Sequence, residues 1–146
     1  MSDRLRSLSE YELYLYSLVH GHASVTGSSL VLERRGATLA RVSGELQFRH
    51  EVRLVVRERI VVDRTPGTID PYGDEVWRGS EELYWYDSQP HPHGESLRAT
   101  HPHHKHVSPD PKHNGVPAPQ LSFDEPNLRV LIAEIEGLLA GLDAAS

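Results

Sequence analysis

The chain has 146 residues, 38% hydrophobic and 25% charged, an ordinary soluble balance in a length that suits one domain, 1–146, with its own core. It contains no cysteine, which excludes disulfides and thiolate metal sites, and its formal net charge of -6 excludes a uniformly basic nucleic-acid binder. No stretch reaches the ~18 uninterrupted apolar residues of a membrane span, so a cytoplasmic protein without membrane attachment is expected.

In chain order, Ser9 to His20 reads as a helix, with Ser9 as N-cap and Gly21 as its stop. Leu8, Tyr11, Tyr14, Leu15, Leu18 and Val19 give it a broad apolar stripe. Val25 to Glu33 reads as a short strand, followed by a turn at Arg35-Gly36. From Thr38 to Phe48 the alternation is clean, with Ala40, Val42, Leu46 and Phe48 on one side and Arg41, Ser43, Glu45 and Gln47 on the other. A second alternating run places Val52, Leu54, Val56, Ile60 and Val62 opposite Arg53, Arg57 and Arg59. The two runs predict an antiparallel meander with one covered side and one wet, basic side, suited to an anionic ligand.

Glu58 breaks this pattern by falling on the apolar side, between Val56 and Ile60. A carboxylate there is costly unless it is paired, hydrogen-bonded or protonated. Either a β-bulge returns it to solvent, or it is a site residue with a raised pKa.

The Pro-, Gly- and Asp-rich stretch 64–80 predicts an irregular loop. Glu82 to Asp87 predicts a strand with Leu83, Trp85 and Asp87 on one face and Tyr84 and Tyr86 on the other. Residues 88–120, dense in His, Pro and Ser, predict a long histidine-rich loop. Asp124 and Pro126 then open a last helix, whose Leu128, Leu131, Ile132, Ile135, Leu138, Leu139 and Leu142 recur at helical spacing. The fold class expected is α+β: an N-terminal helix, an antiparallel sheet, the histidine loop, and a C-terminal helix packed on the sheet.

The segment His101-Pro102-His103-His104-Lys105-His106 packs four imidazoles and an ammonium into six residues, and His91 and His93 lie just upstream. Such a cluster can move protons, bind an anion or hold a metal. As a metal site it offers neutral nitrogen ligands to zinc or nickel, with Asp87 as an oxygen ligand. The spacing is not that of a defined zinc motif, however, and Lys105 would repel a cation. As a metal-free site it supplies what RNA cleavage needs: a base for the 2′-hydroxyl, an acid for the leaving oxygen and a cation for the phosphate. Tyr84, Trp85 and Tyr86 are available to stack a base. An interaction role is a third reading, with Gly137 and Gly141 allowing close helix approach in a homodimer.

Leu46 and Phe48, Glu58, Tyr84 to Asp87, Pro90-His91 and the box Pro102-His103-His104-Lys105-His106 resemble, in their order, the TumE-like toxins of bacterial toxin–antitoxin pairs. Arg49-His50-Glu51 stands where that pattern has a glycine-containing turn. The resemblance implies an intracellular toxin neutralised by a cognate antitoxin that often binds DNA, with RNA or translation as the target. Together these readings give a metal-independent endoribonuclease, acting in a cleft between the covered sheet face and the histidine loop. His103 or His104 serves as base or acid and His106 as its complement. Lys105 meets the phosphate and Glu58 orients a histidine. Tyr84, Tyr86, Asp87, His91 and Arg57 bind substrate. The alternative is a histidine-rich metal- or ligand-binding module without catalysis.

Overall fold

Apolar residues alternating along 40–48 and 52–62, with Gly44 and Glu58 as exceptions, build the centre of the fold. The computed structural model describes residues 5–88, 104–107, 115–117 and 126–145, with main chain alone for 104–107 and 115–117. Helix α1 spans Leu8–Gly21, and the strands are β1 (Gly27–Ser28), β2 (Val31–Arg34), β3 (Leu39–Gln47) and β4 (Val52–Val61). They continue as β5 (Thr68–Arg78), β6 (Glu81–Asp87), β7 (His104–Val107) and β8 (Gly115–Pro117), before helix α2 (Leu128–Ala145). All strand pairs are antiparallel, in the order β1-β3-β4-β5-β6-β7-β8, with β2 also on β3. The α+β architecture expected from the sequence is therefore the one observed.

One face of the sheet is covered by both helices. Ala40, Val42, Leu46, Val52, Leu54, Val56, Ile60, Ile69, Val76 and Tyr86 from the strands share a buried cluster with Leu8, Tyr11, Leu15 and Leu18 of α1. Helix α2 adds Leu128, Leu131, Ile132, Ile135 and Leu139 to the same cluster, while Leu138 and Leu142 are only partly buried. Removing such apolar area from water is what docks each helix, at roughly 1.5–3 kcal/mol per buried large side chain.

Four local expectations are corrected. The cap of α1 is Ser7, whose extended backbone lets its hydroxyl accept from the Glu10 amide at 3.1 Å. Ser9 lies inside the helix and accepts instead from Arg34 of β2. The single strand expected over Val25–Glu33 is two pieces along one edge of β3, interrupted opposite Gly44. Gly44 has φ +120, and a Cβ there would run into the Ser29 backbone, so glycine is required by both conformation and space.

Over Thr68–Arg78, the expected 64–80 loop is strand β5, paired on both sides. Its turn-forming residues are absorbed by a bulge. Between Glu58↔Tyr72 and Ile60↔Ile69, β4 advances two residues while β5 advances three, and the extra residue falls at Asp70-Pro71. Finally, His104–Val107 and Gly115–Pro117, inside the expected 88–120 loop, extend the sheet as strands. The rest of 89–125 lies outside the described residues.

The β3–β4 hairpin turns at His50 and Glu51, both with positive φ, 62 and 61. That sign pattern matches the right-handed twist of a two-residue hairpin but is sterically unfavourable for residues other than glycine and asparagine. The turn is clamped from outside. Asp143 near the end of α2 accepts from Arg49 Nε at 3.0 Å and lies 2.6 Å from His50 Nε2.

Candidate active site on the open face of the sheet

The face turned away from the helices carries the arginines that the alternation predicted to be wet. Arg41 of β3 and Arg57 and Arg59 of β4 are exposed there. Next to them come Gly73 and Glu75 of β5, then Trp85 and Asp87 of β6. These residues line an open groove of about 760 Å³, with Glu33, Arg35 and Glu82 around it. Gly73 matters to its shape: the Arg57 guanidinium lies across it, 3.6 Å from where a Cβ would stand. Arg57 reaches Glu75 at 3.6 Å and Arg35 reaches Glu33 at 3.0 Å. Farther along the same face, Arg53 bonds Glu45 at 3.1 Å and lies over the Trp77 ring at 5.2 Å.

The β6–β7 register sets the histidine box beside this groove. His104 stands opposite Asp87, Lys105 opposite Tyr86, and His106 opposite Trp85. Directly opposed residues on antiparallel strands are the closest cross-strand neighbours. Asp87 and Trp85 thus belong both to the groove wall and to β6, the strand that pairs with the box.

Glu58 is also among the residues that line this groove, but its carboxyl is held on the other side of β4. No bulge returns it to solvent; it is buried on the covered face, where the Tyr11 hydroxyl of α1 bonds its Oε1. Burial pushes its pKa up to about 7, and the Tyr11 hydrogen bond offsets this only in part. Oε2 has no hydrogen-bond partner among the described residues. The strand β4 that carries Glu58 lies three positions from β7, about 14 Å between strand axes at ~4.8 Å per strand. The structure therefore brings Glu58 to Tyr11, with two strands standing between its own strand and that of the histidine box.

A second buried carboxyl, Asp74, went unrecognised in the sequence. It stands opposite Val56 on one side and Tyr86 on the other, fully buried on the covered face. Its pKa is raised well above the usual carboxyl range, first by burial and then by Glu58, with the Arg57 amide and guanidinium pulling it back in part. The alternation Tyr72, Asp74, Val76 was the available signal, hidden among residues that favour turns.

Tyr84 and Tyr86 also face the helices. Tyr86 donates to Glu134 of α2 at 2.6 Å, and the two tyrosine rings meet edge to face at 6.0 Å. Burial raises the pKa of both, with Glu134 adding to the effect. Of the three adjacent aromatic residues, Trp85 is the one lining the groove. Of the remaining expected site residues, Asp87 and Arg57 line it as well, whereas His91 and His103 lie outside the described residues.

Among the described residues, no group of three or more His, Asp or Glu is placed to hold a metal ion. No described helix is long and apolar enough to cross a membrane. No curated protein and no solved structure matches the chain. The family described as Toxin TumE matches residues 15–139. That match takes in the second half of α1, the whole sheet, the histidine box and α2 as far as Leu139, and the chain belongs to the TumE family of toxins, whose members act in toxin–antitoxin pairs and imply a cognate antitoxin as partner.

Proposed function

We propose that this toxin acts on RNA as a metal-independent endoribonuclease, with its chemistry at the border of β6 and β7. One observation carries the reading: the register sets His104 against Asp87 and His106 against Trp85, two residues in the wall of an arginine-bearing groove. One histidine of the box takes the proton of a 2′-hydroxyl. The freed oxygen attacks the adjacent phosphorus, and the bond to the 5′-oxygen breaks. The other histidine gives that oxygen a proton, leaving a 2′,3′-cyclic phosphate and a 5′-hydroxyl. Asp87 orients His104 and stabilises its protonated form. Arg57 offsets the charge that grows on the phosphate, while Lys105, in register with the helix-facing Tyr86, alternates away from the two histidines. His103 and His91 extend the same assignment along the segment that bears the box. In this reading Glu58 supports the sheet from its covered side.

The test is RNA cleavage by untagged protein with and without EDTA, comparing wild type with His104→Ala. Cleavage that survives EDTA and falls on the order of 100-fold or more in the variant supports the proposal. Undiminished cleavage by His104→Ala overturns the assignment. Activity abolished by EDTA and restored by zinc or nickel favours the metal-centred alternative.

A further inference from the structure

The open face holds an arrangement that folding alone does not explain. Arg41 and Arg59 stand directly opposite each other across β3 and β4. Both are exposed and both line the groove. Like charges in directly opposed positions destabilise a sheet. Elsewhere on this face the arginines are neutralised: Arg35 by Glu33, Arg53 by Glu45, Arg57 by Glu75. Glu33, the cross-strand neighbour of Arg41 on the other side, is the carboxylate that Arg35 engages. Arg41 makes no hydrogen bond or ion pair among the described residues, and Arg59 reaches only the Asp70 carbonyl oxygen, at 3.4 Å. Two guanidiniums left facing each other are five-donor forks whose natural complement is a phosphate.

We propose that Arg41 and Arg59 form a phosphate subsite for single-stranded RNA lying across the strands of the open face; this rests on the reading that the chain acts on RNA at the β7 edge. The path runs from β7 over Trp85 on β6 and Gly73 on β5 to the arginine pair. Trp85 supplies a stacking platform midway, and the Arg57 guanidinium, lying across Gly73, forms the floor between platform and pair. A half-buried aromatic ring in the wall of an open groove suits an unstacked base in a way that it does not suit a closed duplex. From β7 to β3 is four strand spacings, about 19 Å at ~4.8 Å each. At ~3.4 Å per stacked nucleotide the subsite contacts a phosphate no more than about six nucleotides from the scissile bond. The subsite is thus remote from the chemistry and governs substrate length and affinity.

The experiment uses the full chain and a fluorescein-labelled oligouridine of about eight nucleotides, long enough to reach across the face. Binding is followed by anisotropy as salt is varied, for wild type and for the double variant Arg41→Gln/Arg59→Gln. Melting temperatures and cleavage of a dinucleotide too short to reach the pair are measured alongside. The expected result is a 10- to 100-fold loss of affinity and a salt slope shallower by about 0.7, the release expected for one single-strand phosphate contact. Dinucleotide cleavage should be unchanged, and the Tm should equal or exceed that of wild type, since a repulsion has been removed. Unchanged affinity and salt slope in a variant that still cleaves RNA overturn the subsite and leave the ribonuclease reading standing. A lower Tm shows that the guanidiniums already have partners within the fold, and overturns the subsite too. Wild type that neither binds nor cleaves RNA overturns both.

Discussion

The Tyr11 hydroxyl of α1 donates a hydrogen bond to Glu58 Oε1 in the middle of β4, inside the core. The first helix is therefore fixed to the sheet by a polar contact as well as by apolar packing. Glu58 in turn tolerates burial because one of its oxygens is met. The other oxygen has no partner among the described residues, so the carboxyl is held in its neutral form more readily than an ordinary glutamate.

Tyr11→Phe keeps the ring and removes the donor. Both Glu58 oxygens then lie buried without a partner, and the expected cost is about 1–3 kcal/mol in chemical denaturation. Glu58→Gln combined with Tyr11→Phe should cost less than the sum of the two single changes, because the pair acts as a unit. Strict additivity in that cycle would show that the contact carries no energy of its own.

The buried carboxyls make stability depend on pH. Glu58 titrates near 7 in the folded chain against an ordinary value of 4.5, and Asp74 is shifted in the same direction. Between those pH values the folded state keeps a proton that the unfolded chain has released. The contribution of Glu58 is thus fully present below about pH 4.5 and is lost as pH rises through about 7. Melting temperature should fall across that window, and Glu58→Gln should flatten the fall. Parallel wild-type and variant curves would rule out Glu58 as the source.

Gly44→Ala should be among the most damaging single changes. Its φ of +120 is one that L residues rarely adopt, and the new methyl would meet the Ser29 main chain. A loss of about 1–3 kcal/mol is expected from the strained backbone alone. Loss of amide protection at Leu30 and Glu45, measured by hydrogen exchange, would locate the damage at the break between β1 and β2.

Asp143→Asn removes the anion that holds Arg49 and His50. The hydrogen bonds from these two residues draw the Asp143 pKa well below the carboxylate range, so the ionised form makes the clamp at neutral pH. The expected outcome is fraying of the last turns of α2 and of the His50-Glu51 turn, with global stability little changed. Faster amide exchange confined to these two places is the confirming result. Unaltered exchange there would mean that apolar packing alone holds the end of the helix.

The parts of the fold read correctly from sequence are those where burial follows a clean period. In β4, Val52, Leu54, Val56 and Ile60 fall on one side, and in α2 Leu128, Leu131, Ile132, Ile135 and Leu139 recur at helical spacing, so both elements and their buried faces were evident. Glu58 was visible as an exception because its neighbours were so regular. Strand β5 was hidden because Asp70, Pro71, Gly73 and Asp74 favour turns. What makes it a strand is pairing on both sides, a non-local effect that local composition does not report. Asp74 was lost with it. The groove was legible only as a row of arginines. That Arg41 faces Arg59, and that Asp87 faces His104, depends on registers fixed by the Arg49–Val52 turn and by pairing at the edge of the sheet.

Both helices cover the same face of one sheet, yet they come from opposite ends of the described chain. During synthesis every strand, β8 included, precedes α2. Until Ile135 and Leu139 have left the ribosome, Leu46, Val52 and Leu54 belong to a face with half its cover missing. The sheet and its arginine groove therefore cannot reach their final rigidity strand by strand. Until α2 is made, the apolar face of the sheet is open to water, and its closure is among the last steps of folding.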